Sequence, residues 1–141
     1  MQPSRCLLFD LDGTLIDSVA DLATAANVVR AEHGLPHVSE QVVGTYVGDG
    51  ARKLIERTFR DAGEIDVDAV LRRFRAVYLD CCTERTVVYP GVRETLAALD
   101  DVPTAIVSNK PQEMCDRIVD ELGLANWIDV VVGARGGTPV K

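Results

Sequence analysis

The sequence lacks any apolar run long enough to span a membrane, and its first residues lack the basic-then-apolar pattern of an export signal. Internal repeats and low-complexity segments are absent too. Positive charge is scarce, since 15 Lys and Arg against 22 Asp and Glu give a formal net charge of −7. This balance disfavours binding to nucleic acid or to an anionic membrane. We expect a soluble cytoplasmic protein, and the sequence leaves its oligomeric state undetermined. An anionic ligand would need a local positive site on such a protein.

Cysteines are few, and their arrangement matches neither a zinc site nor the disulfide framework of a small secreted domain. The four are Cys6, Cys81, Cys82 and Cys115. Free cysteines are usually buried, and cytosolic proteins keep their thiols reduced. We therefore expect buried, reduced thiols and a cytoplasmic location.

The first chemically informative stretch is an apolar run, residues 6–9, that leads into two carboxylates. Such a run is typical of a strand buried on both faces of a parallel sheet. Asp10 and Asp12 lie two positions apart, so at a strand end both side chains lean to the same side. Gly13 permits a sharp turn before the hydroxyl of Thr14, and such a turn can offer N–H groups to an anion. A hard cation such as Mg²⁺ would relieve the repulsion between the carboxylates, although Asp-Gly strings alone are equally typical of solvated turns.

The rest of the 141-residue chain separates into a helical segment and an α/β segment. Residues 17–84 carry apolar residues at helical spacing with almost no strand signal. Beyond them, two short apolar runs at residues 103–107 and 127–132 alternate with helical patterns. Strands that alternate with helices are typical of a doubly wound parallel sheet, the Rossmann-like class of α/β fold. The sequence therefore predicts an α/β core from residues 1–16 and 85–141, with residues 17–84 inserted as a helical unit.

Polar residues follow each of the three predicted core strands. In a doubly wound fold the functional site lies at the carboxyl ends of the strands, so Asp10, Ser108 and the tail near Lys141 should meet at one edge. Ser108 and Asn109 can donate a hydroxyl and amides to phosphate oxygens, although a Ser-Asn pair is also a common turn. Lys110 fits either a surface charge or a site residue, and we favour the site.

The string at residues 9–18, FDLDGTLIDS, resembles the first motif of the haloacid dehalogenase-like hydrolases, in their phosphatase branch. The resemblance implies that Asp10 is a nucleophile that becomes an aspartyl-phosphate. It implies that Asp12 protonates the leaving oxygen and then activates water as a base. Dehalogenases of this superfamily lack the second aspartate, so Asp12 favours phosphoryl transfer. The resemblance further implies an Mg²⁺ cofactor, with Asp10 and Asp12 among its ligands.

Two later stretches resemble further motifs of the same family. Residues 107–111, VSNKP, are similar to the second motif of phosphoglycolate phosphatases, which implies that Ser108 binds the transferring phosphoryl group, with Asn109 and Lys110 beside it. Residues 133–141 resemble the loop that carries the third motif. That resemblance implies that the Lys141 ammonium neutralises the nucleophile and the phosphoryl group, a charge-stabilising role. Gly13 and Thr14 complete the predicted phosphate-binding set.

The helical insertion lies where this superfamily places its smaller type of cap domain. Residues 47–54 resemble the cap loop of phosphoglycolate phosphatases, a glycine-rich turn at a helix start. Arg52 or Lys53 could meet a substrate carboxylate there. The alternative is a plain helix connector with both cations solvated.

The family continues past the third-motif lysine into a strand with an acidic pair that completes the Mg²⁺ site, and then into a further strand. The sequence ends at Lys141. We therefore expect a truncated, proteolysed or incompletely resolved product of a longer chain, and the isolated residues 1–141 should bind metal poorly and turn over slowly, if at all. Without the further strands, an apolar strand edge would be exposed.

The combined prediction is an Mg²⁺-dependent phosphatase that acts on a small phosphorylated metabolite, 2-phosphoglycolate. Within the same superfamily, a sugar-phosphate or pyrophosphate phosphatase and a phosphosugar mutase are the alternatives. From a different class, the chain could be an inactive fragment that binds a partner through its exposed sheet edge.

Overall fold

The structure, a computed structural model, describes residues 5–136. In chain order the elements are β1 (Leu7–Phe9), β2 (Ile16–Asp17), α1 (Val19–Glu32), α2 (Glu40–Gly44), α3 (Ala51–Thr58), α4 (Val67–Cys81), β3 (Val87–Val88), α5 (Val92–Ala98), β4 (Thr104–Pro111), α6 (Gln112–Glu121) and β5 (Val130–Ala134). The chain divides into two compact units. One comprises the described residues up to Asp17 and from Val87 onward, and the other is Ser18–Thr86. Among residues 5–136, no helix is both long and apolar enough to cross a membrane.

The first unit contains a parallel sheet in the order β1-β4-β5. Phe9 of β1 pairs with Ile106 of β4, and Ile106 pairs with Val131 of β5. Because the strands are parallel and in this register, Asp10 leaves β1 beside the part of β4 that leads to Ser108. Helix α6 packs against β4 and β5. The core is thus the parallel, Rossmann-like α/β fold that the sequence predicts.

Strand β4 extends further than the apolar pattern predicts. Ser108, Asn109 and Lys110 lie inside the strand rather than in a loop, because Pro111 still pairs with Ala134 after an irregularity in the register. Strand β5 begins at Val130, later than the apolar run from residue 127 suggests. The reason is a turn in which the Trp127 amide donates to the Leu124 carbonyl.

The side chains on the two faces of the sheet differ in how exposed they are. Ile106 is fully buried, as are Cys115 and Ile118 on α6. On the opposite face, Leu8 and Val130 flank Ala105 in one row across the three strands. Leu8 is 68% exposed and Val130 is 53% exposed. Among the described residues, the two outer positions of this row are therefore exposed, while Ala105 between them is buried.

The second unit is helical, and its helices begin where capping residues predict. The Ser39 side chain accepts from the Val42 amide at the start of α2, and Asp66 does the same for Ala69 at the start of α4. These caps satisfy amides that have no partner inside the helix. Helix α1 packs on α4. Ser18 precedes α1 without a side-chain cap bond, and α3 ends at Thr58.

A buried arginine closes one end of the helical unit. The Arg30 side chain is 1% exposed, and its guanidinium donates to the carbonyls of Pro36 and Thr58 and to both oxygens of Asp61. The Arg30 hydrogen bond lowers the pKa of Asp61 from its usual 3.8 to about 2. The guanidinium also lies 5.6 Å from the centre of the Phe59 ring. The end of α1, the following loop and the end of α3 are therefore joined by one side chain.

Candidate functional site

The loop after β1 is closed by its own backbone. The Leu11 carbonyl faces the amides of Thr14, Leu15 and Ile16, at 3.0 to 3.2 Å, and the Gly13 amide donates to the Ile16 carbonyl at 2.9 Å. Gly13 has a φ of 77°, a conformation that favours glycine. In this loop the amides of Gly13 and Thr14 donate to carbonyls of the loop itself. The hydroxyl of Thr14 therefore lies on an exposed but well-defined turn.

Both candidate carboxylates lie at this loop. The Asp10 Oδ1 accepts from the Leu11 amide at 2.8 Å, and Asp10 is partly buried. The Asp12 side chain is 12% exposed, and its Oδ1 lies 3.2 Å from the ammonium of Lys110. The Lys110 side chain is 5% exposed. The structure thus brings Asp12 and Lys110 together, and β1 carries Asp10 to the same edge of the sheet.

The backbone around Ser108 and Lys110 is held from two sides. The Ser108 Oγ accepts from the Lys110 amide at 3.1 Å, and Ser108 is 7% exposed. On the α6 side, the Cys115 thiol lies 3.5 Å from the Lys110 carbonyl and donates to it. Burial raises the pKa of the Cys115 thiol to about 12, although the nearby Lys110 charge opposes this rise. Cys115 therefore serves as a buried neutral donor beneath the site. The side chain of Asn109, beside them in β4, is partly exposed.

Two residues that sequence reasoning missed support this backbone. The Gln112 side chain accepts from the Gly133 amide at 2.7 Å and donates to the Val131 carbonyl at 3.0 Å. A Cβ added to Gly133 would lie 2.6 Å from the Gln112 Cα and 2.8 Å from the Lys110 carbonyl oxygen. Only glycine fits this approach of two backbones. A glycine directly after the apolar run of residues 127–132 was the available signal, since a glycine in a strand often marks a close backbone approach.

The two cations predicted from the cap-loop resemblance lie in the helical unit. Arg52 pairs with Asp68, and the Lys53 ammonium lies 2.9 Å from Glu56. Their side chains are 51% and 57% exposed. Both are therefore accessible cations with an acidic neighbour inside their own unit.

Lys141, predicted from the resemblance to carry the third motif, lies outside the described residues. Among residues 5–136, no group of three or more His, Cys, Asp or Glu side chains is clustered as a complete metal site would require. The described part of the site therefore consists of two carboxylates, a buried lysine and a buried serine at one edge of a parallel sheet.

This arrangement matches a known family along nearly the whole chain. Residues 7–141 match the model of the haloacid dehalogenase-like hydrolases. The chain is 35% identical over 136 residues to a phosphoglycolate phosphatase of Chromobacterium violaceum and 38% identical over 137 residues to one of Pseudomonas putida. In both cases the match covers 92% of this chain.

Solved structures give the same result. The crystal structure of a predicted phosphoglycolate phosphatase from Haemophilus somnus superposes with a TM-score of 0.90 at 30% identity, over 100% of this chain and 67% of that one. The chain therefore belongs to the haloacid dehalogenase-like hydrolase family. It spans 61% and 50% of the lengths of the Chromobacterium and Pseudomonas putida relatives.

Proposed function

We propose that the protein is a phosphatase that hydrolyses 2-phosphoglycolate, a small phosphorylated acid, through a phosphoenzyme formed on Asp10. One observation carries the proposal, namely the pairing of the Asp12 carboxylate with the buried Lys110 ammonium at 3.2 Å, at the edge where β1 delivers Asp10. Two carboxylates can divide nucleophilic and proton-transfer work when their surroundings differ. Asp10 accepts from a backbone amide, whereas Asp12 faces a cation. Similarity to relatives named phosphoglycolate phosphatase supports the choice of substrate.

The reaction proceeds in two displacements at phosphorus. In the first, an Asp10 oxygen forms a bond to phosphorus while the bond to the leaving oxygen breaks with its electron pair, and the Asp12 carboxyl gives that oxygen a proton. In the second, water attacks phosphorus as the Asp10–phosphorus bond breaks, and Asp12 takes the proton from the water. The products are glycolate and inorganic phosphate, and both aspartates return to their starting state. The location of Asp12 in the turn directly after Asp10 supports this division of roles.

Other predicted residues contribute charge and hydrogen bonds. The Ser108 hydroxyl, at the end of β4, and the neighbouring Asn109 hold the phosphoryl oxygens. Gly13 and Thr14 shape the loop after β1, where both residues are exposed. The Lys141 ammonium neutralises the phosphoryl group as it transfers.

The donor atoms of the site suit a hard divalent cation, Mg²⁺. This ion is typically held by one or two carboxylates, with phosphate and water completing its shell, and Asp10 and Asp12 are two carboxylates at one loop. Asp10 and Asp12 would hold the ion. When bound, it would offset the negative charge of the phosphate against that of the carboxylates.

The helical unit provides a means to select the substrate. Arg52 and Lys53 are exposed cations of this unit, and a phosphorylated acid carries a carboxylate that either cation can pair with. We propose that residues 17–84 form a cap that recognises this carboxylate, and that residues 1–16 and 85–141 form the catalytic core.

The test is release of phosphate from 2-phosphoglycolate by the protein purified from its own gene, with its intact mass recorded first. We expect turnover that needs Mg²⁺, that is abolished by a chelator and that falls more than about a thousandfold in Asp10→Asn. Asp80→Asn, a change of an exposed aspartate on α4, serves as the matched control and should leave turnover unchanged. Equal turnover in Asp10→Asn would contradict the assigned nucleophile, and no turnover in the unaltered protein would contradict the function.

The exposed apolar side chains on one face of the sheet favour a second candidate, an interaction module without catalysis. Leu8, Val130 and Val132 are 68%, 53% and 45% exposed. An apolar face of this kind marks an interaction surface when it stays uncovered. An inactive protein that self-associates or binds a partner through this face, and loses the association in Leu8→Asp, would support this alternative.

A further inference from the structure

The sequence places Lys110 among the phosphate-binding residues, but the structure gives its ammonium a protein partner. The Lys110 Nζ lies 3.2 Å from the Asp12 Oδ1, and the two side chains are 5% and 12% exposed. Exposed ion pairs contribute little because water screens them. A pair with this little exposure interacts more strongly, since the local dielectric constant is low. Lys110 therefore has a large influence on where the Asp12 carboxylate lies.

The backbone of Lys110 is itself held in place. Its amide donates to the Ser108 Oγ and its carbonyl accepts from the Cys115 thiol. The carbonyl also lies against Gly133, where a Cβ would approach the carbonyl oxygen to 2.8 Å. Because the backbone of Lys110 is constrained, its ammonium can hold the neighbouring carboxylate in one orientation.

We propose that Lys110 is a positioning residue that holds the Asp12 carboxylate by its Oδ1 in the orientation required for proton transfer. This inference rests on the proposed function, in which Asp12 gives a proton to the leaving oxygen and takes one from water. Proton transfer requires the carboxyl group to lie within hydrogen-bonding distance of the reacting oxygen, about 2.6–3.2 Å. If the carboxylate rotates away from this geometry, proton transfer becomes slower while substrate binding is unchanged. Lys110 thus acts on the reaction through Asp12 and not through the phosphoryl group.

A double-mutant cycle tests this directly, because residues that act through one another give losses that do not add. The variants are Lys110→Met, which keeps an unbranched apolar stem, Asp12→Asn, and the two combined. We expect Lys110→Met alone to lower kcat/KM for 2-phosphoglycolate about 10²-fold. In the Asp12→Asn background the same change should cause no further loss. Additive losses would show that Lys110 acts independently of Asp12 and would overturn the inference.

The choice of leaving group gives a second, independent readout. p-Nitrophenyl phosphate has a leaving group that departs without a proton, so its kcat/KM depends less on Asp12 than that of 2-phosphoglycolate does. We expect Lys110→Met to lower kcat/KM for the aryl phosphate only a few-fold and to leave the inhibition constant of inorganic phosphate unchanged. Equal losses on both substrates, with weaker phosphate inhibition, would instead establish the phosphate-contact role predicted from the sequence.

Controls separate these outcomes from misfolding and from failure of the function itself. Arg117→Met removes an exposed cation of α6, paired with Glu121 at 2.7 Å, and should change neither substrate's kinetics. If Lys110→Met does not fold, Lys110→Gln retains an N–H donor and should show the same non-additivity with a smaller loss. Turnover of neither substrate by the unaltered protein would overturn the proposed function, whereas additive losses in an active enzyme would overturn only the role of Lys110.

Discussion

The carboxylate of Asp21 accepts hydrogen bonds from both the amide and the hydroxyl of Thr86, at 2.8 and 2.7 Å, although 65 residues separate the two. The Arg85 amide donates to the same carboxylate at 2.9 and 3.0 Å. Asp21 is 1% exposed and Thr86 is 4% exposed. The first turn of α1 is thereby tied to the last residues of the helical unit.

Asp21→Asn should destabilise the protein, because the new amide group presents N–H donors to atoms that are themselves donors. Leaving buried donors without an acceptor costs about 1–3 kcal/mol. We expect a decrease of this size in the free energy of unfolding, measured by urea denaturation. Asp80→Asn, an exposed position, should change it by less than about 0.5 kcal/mol. Equal stability of Asp21→Asn and the unaltered protein would contradict the structural role of this carboxylate.

The ion pair of Asp61 predicts a specific acid dependence of stability. The hydrogen bond from Arg30 lowers the pKa of Asp61 to about 2 in the folded state, from its usual 3.8. The folded state therefore favours the ionised carboxylate, which stabilises it above about pH 4 and ceases to do so as the pH falls toward 2. Asp61→Asn should be less stable than the unaltered protein at about pH 6, and the difference should shrink at about pH 3.

Urea denaturation at the two pH values measures this difference. The matched control is Asp68→Asn, because Asp68 pairs with the half-exposed Arg52 and is itself 63% exposed. Its effect should vary little with pH, since exposed pairs contribute little. The prediction is contradicted if the free energies of unfolding of Asp61→Asn and the unaltered protein differ by the same amount at neutral and acid pH.

The close approach at Gly133 predicts a large effect from one methyl group. In Gly133→Ala the added Cβ meets the backbone of Gln112 at 2.6 and 2.8 Å, and backbone cannot rotate away as a side chain can. Overpacking of this kind costs about 1–3 kcal/mol. Gly136→Ala is the matched control, because an added Cβ meets nothing there within 4 Å. Urea denaturation of both variants measures the effect, and equal stabilities would show that Gly133 does not approach the backbone of Gln112 as closely as described.

The four thiols should react in two groups. Cys6 is exposed, whereas Cys81, Cys82 and Cys115 are buried, so the expectation of burial is wrong for Cys6 alone. Burial raises the pKa of Cys81 to about 11 and that of Cys115 to about 12, which leaves little reactive thiolate at neutral pH.

Ellman's reagent at about pH 8 should therefore label one thiol rapidly in the folded protein and all four after denaturation. Cys6→Ser should abolish the rapid phase and leave the slow one. Rapid labelling of a second thiol without denaturant would show that one of the buried sites opens.

Local sequence signals predicted most of the helical and strand pattern. Ser39 and Asp66 cap helices where their side chains suggest, because a cap depends only on residues within one turn. The apolar runs predict the strands, and the geometry of parallel strands then predicts that Asp10 and Ser108 lie at the same edge of the sheet.

Contacts between distant segments could not be predicted in this way. The pairing of Lys110 with Asp12 depends on the extension of β4 to Pro111, which is set by its pairing with Ala134 in β5. Arg30 looks like an ordinary helix-surface cation in sequence. Its burial arises only when α3 brings the Thr58 carbonyl and Asp61 to the end of α1.

The most direct test of the central claim is the detection of a phosphoryl group on Asp10. The protein is mixed with Mg²⁺ and p-nitrophenyl phosphate, whose leaving group departs without a proton from Asp12, so that the first displacement still proceeds in Asp12→Asn. The mixture is quenched in acid and analysed by intact mass and peptide mapping. The account predicts that Asp12→Asn accumulates a phosphoryl adduct on the peptide that contains Asp10, because the hydrolytic step lacks its base, and that the Asp10→Asn, Asp12→Asn double variant forms none. Turnover by the unaltered protein without any adduct in Asp12→Asn, or an adduct that persists without Asp10, would contradict it.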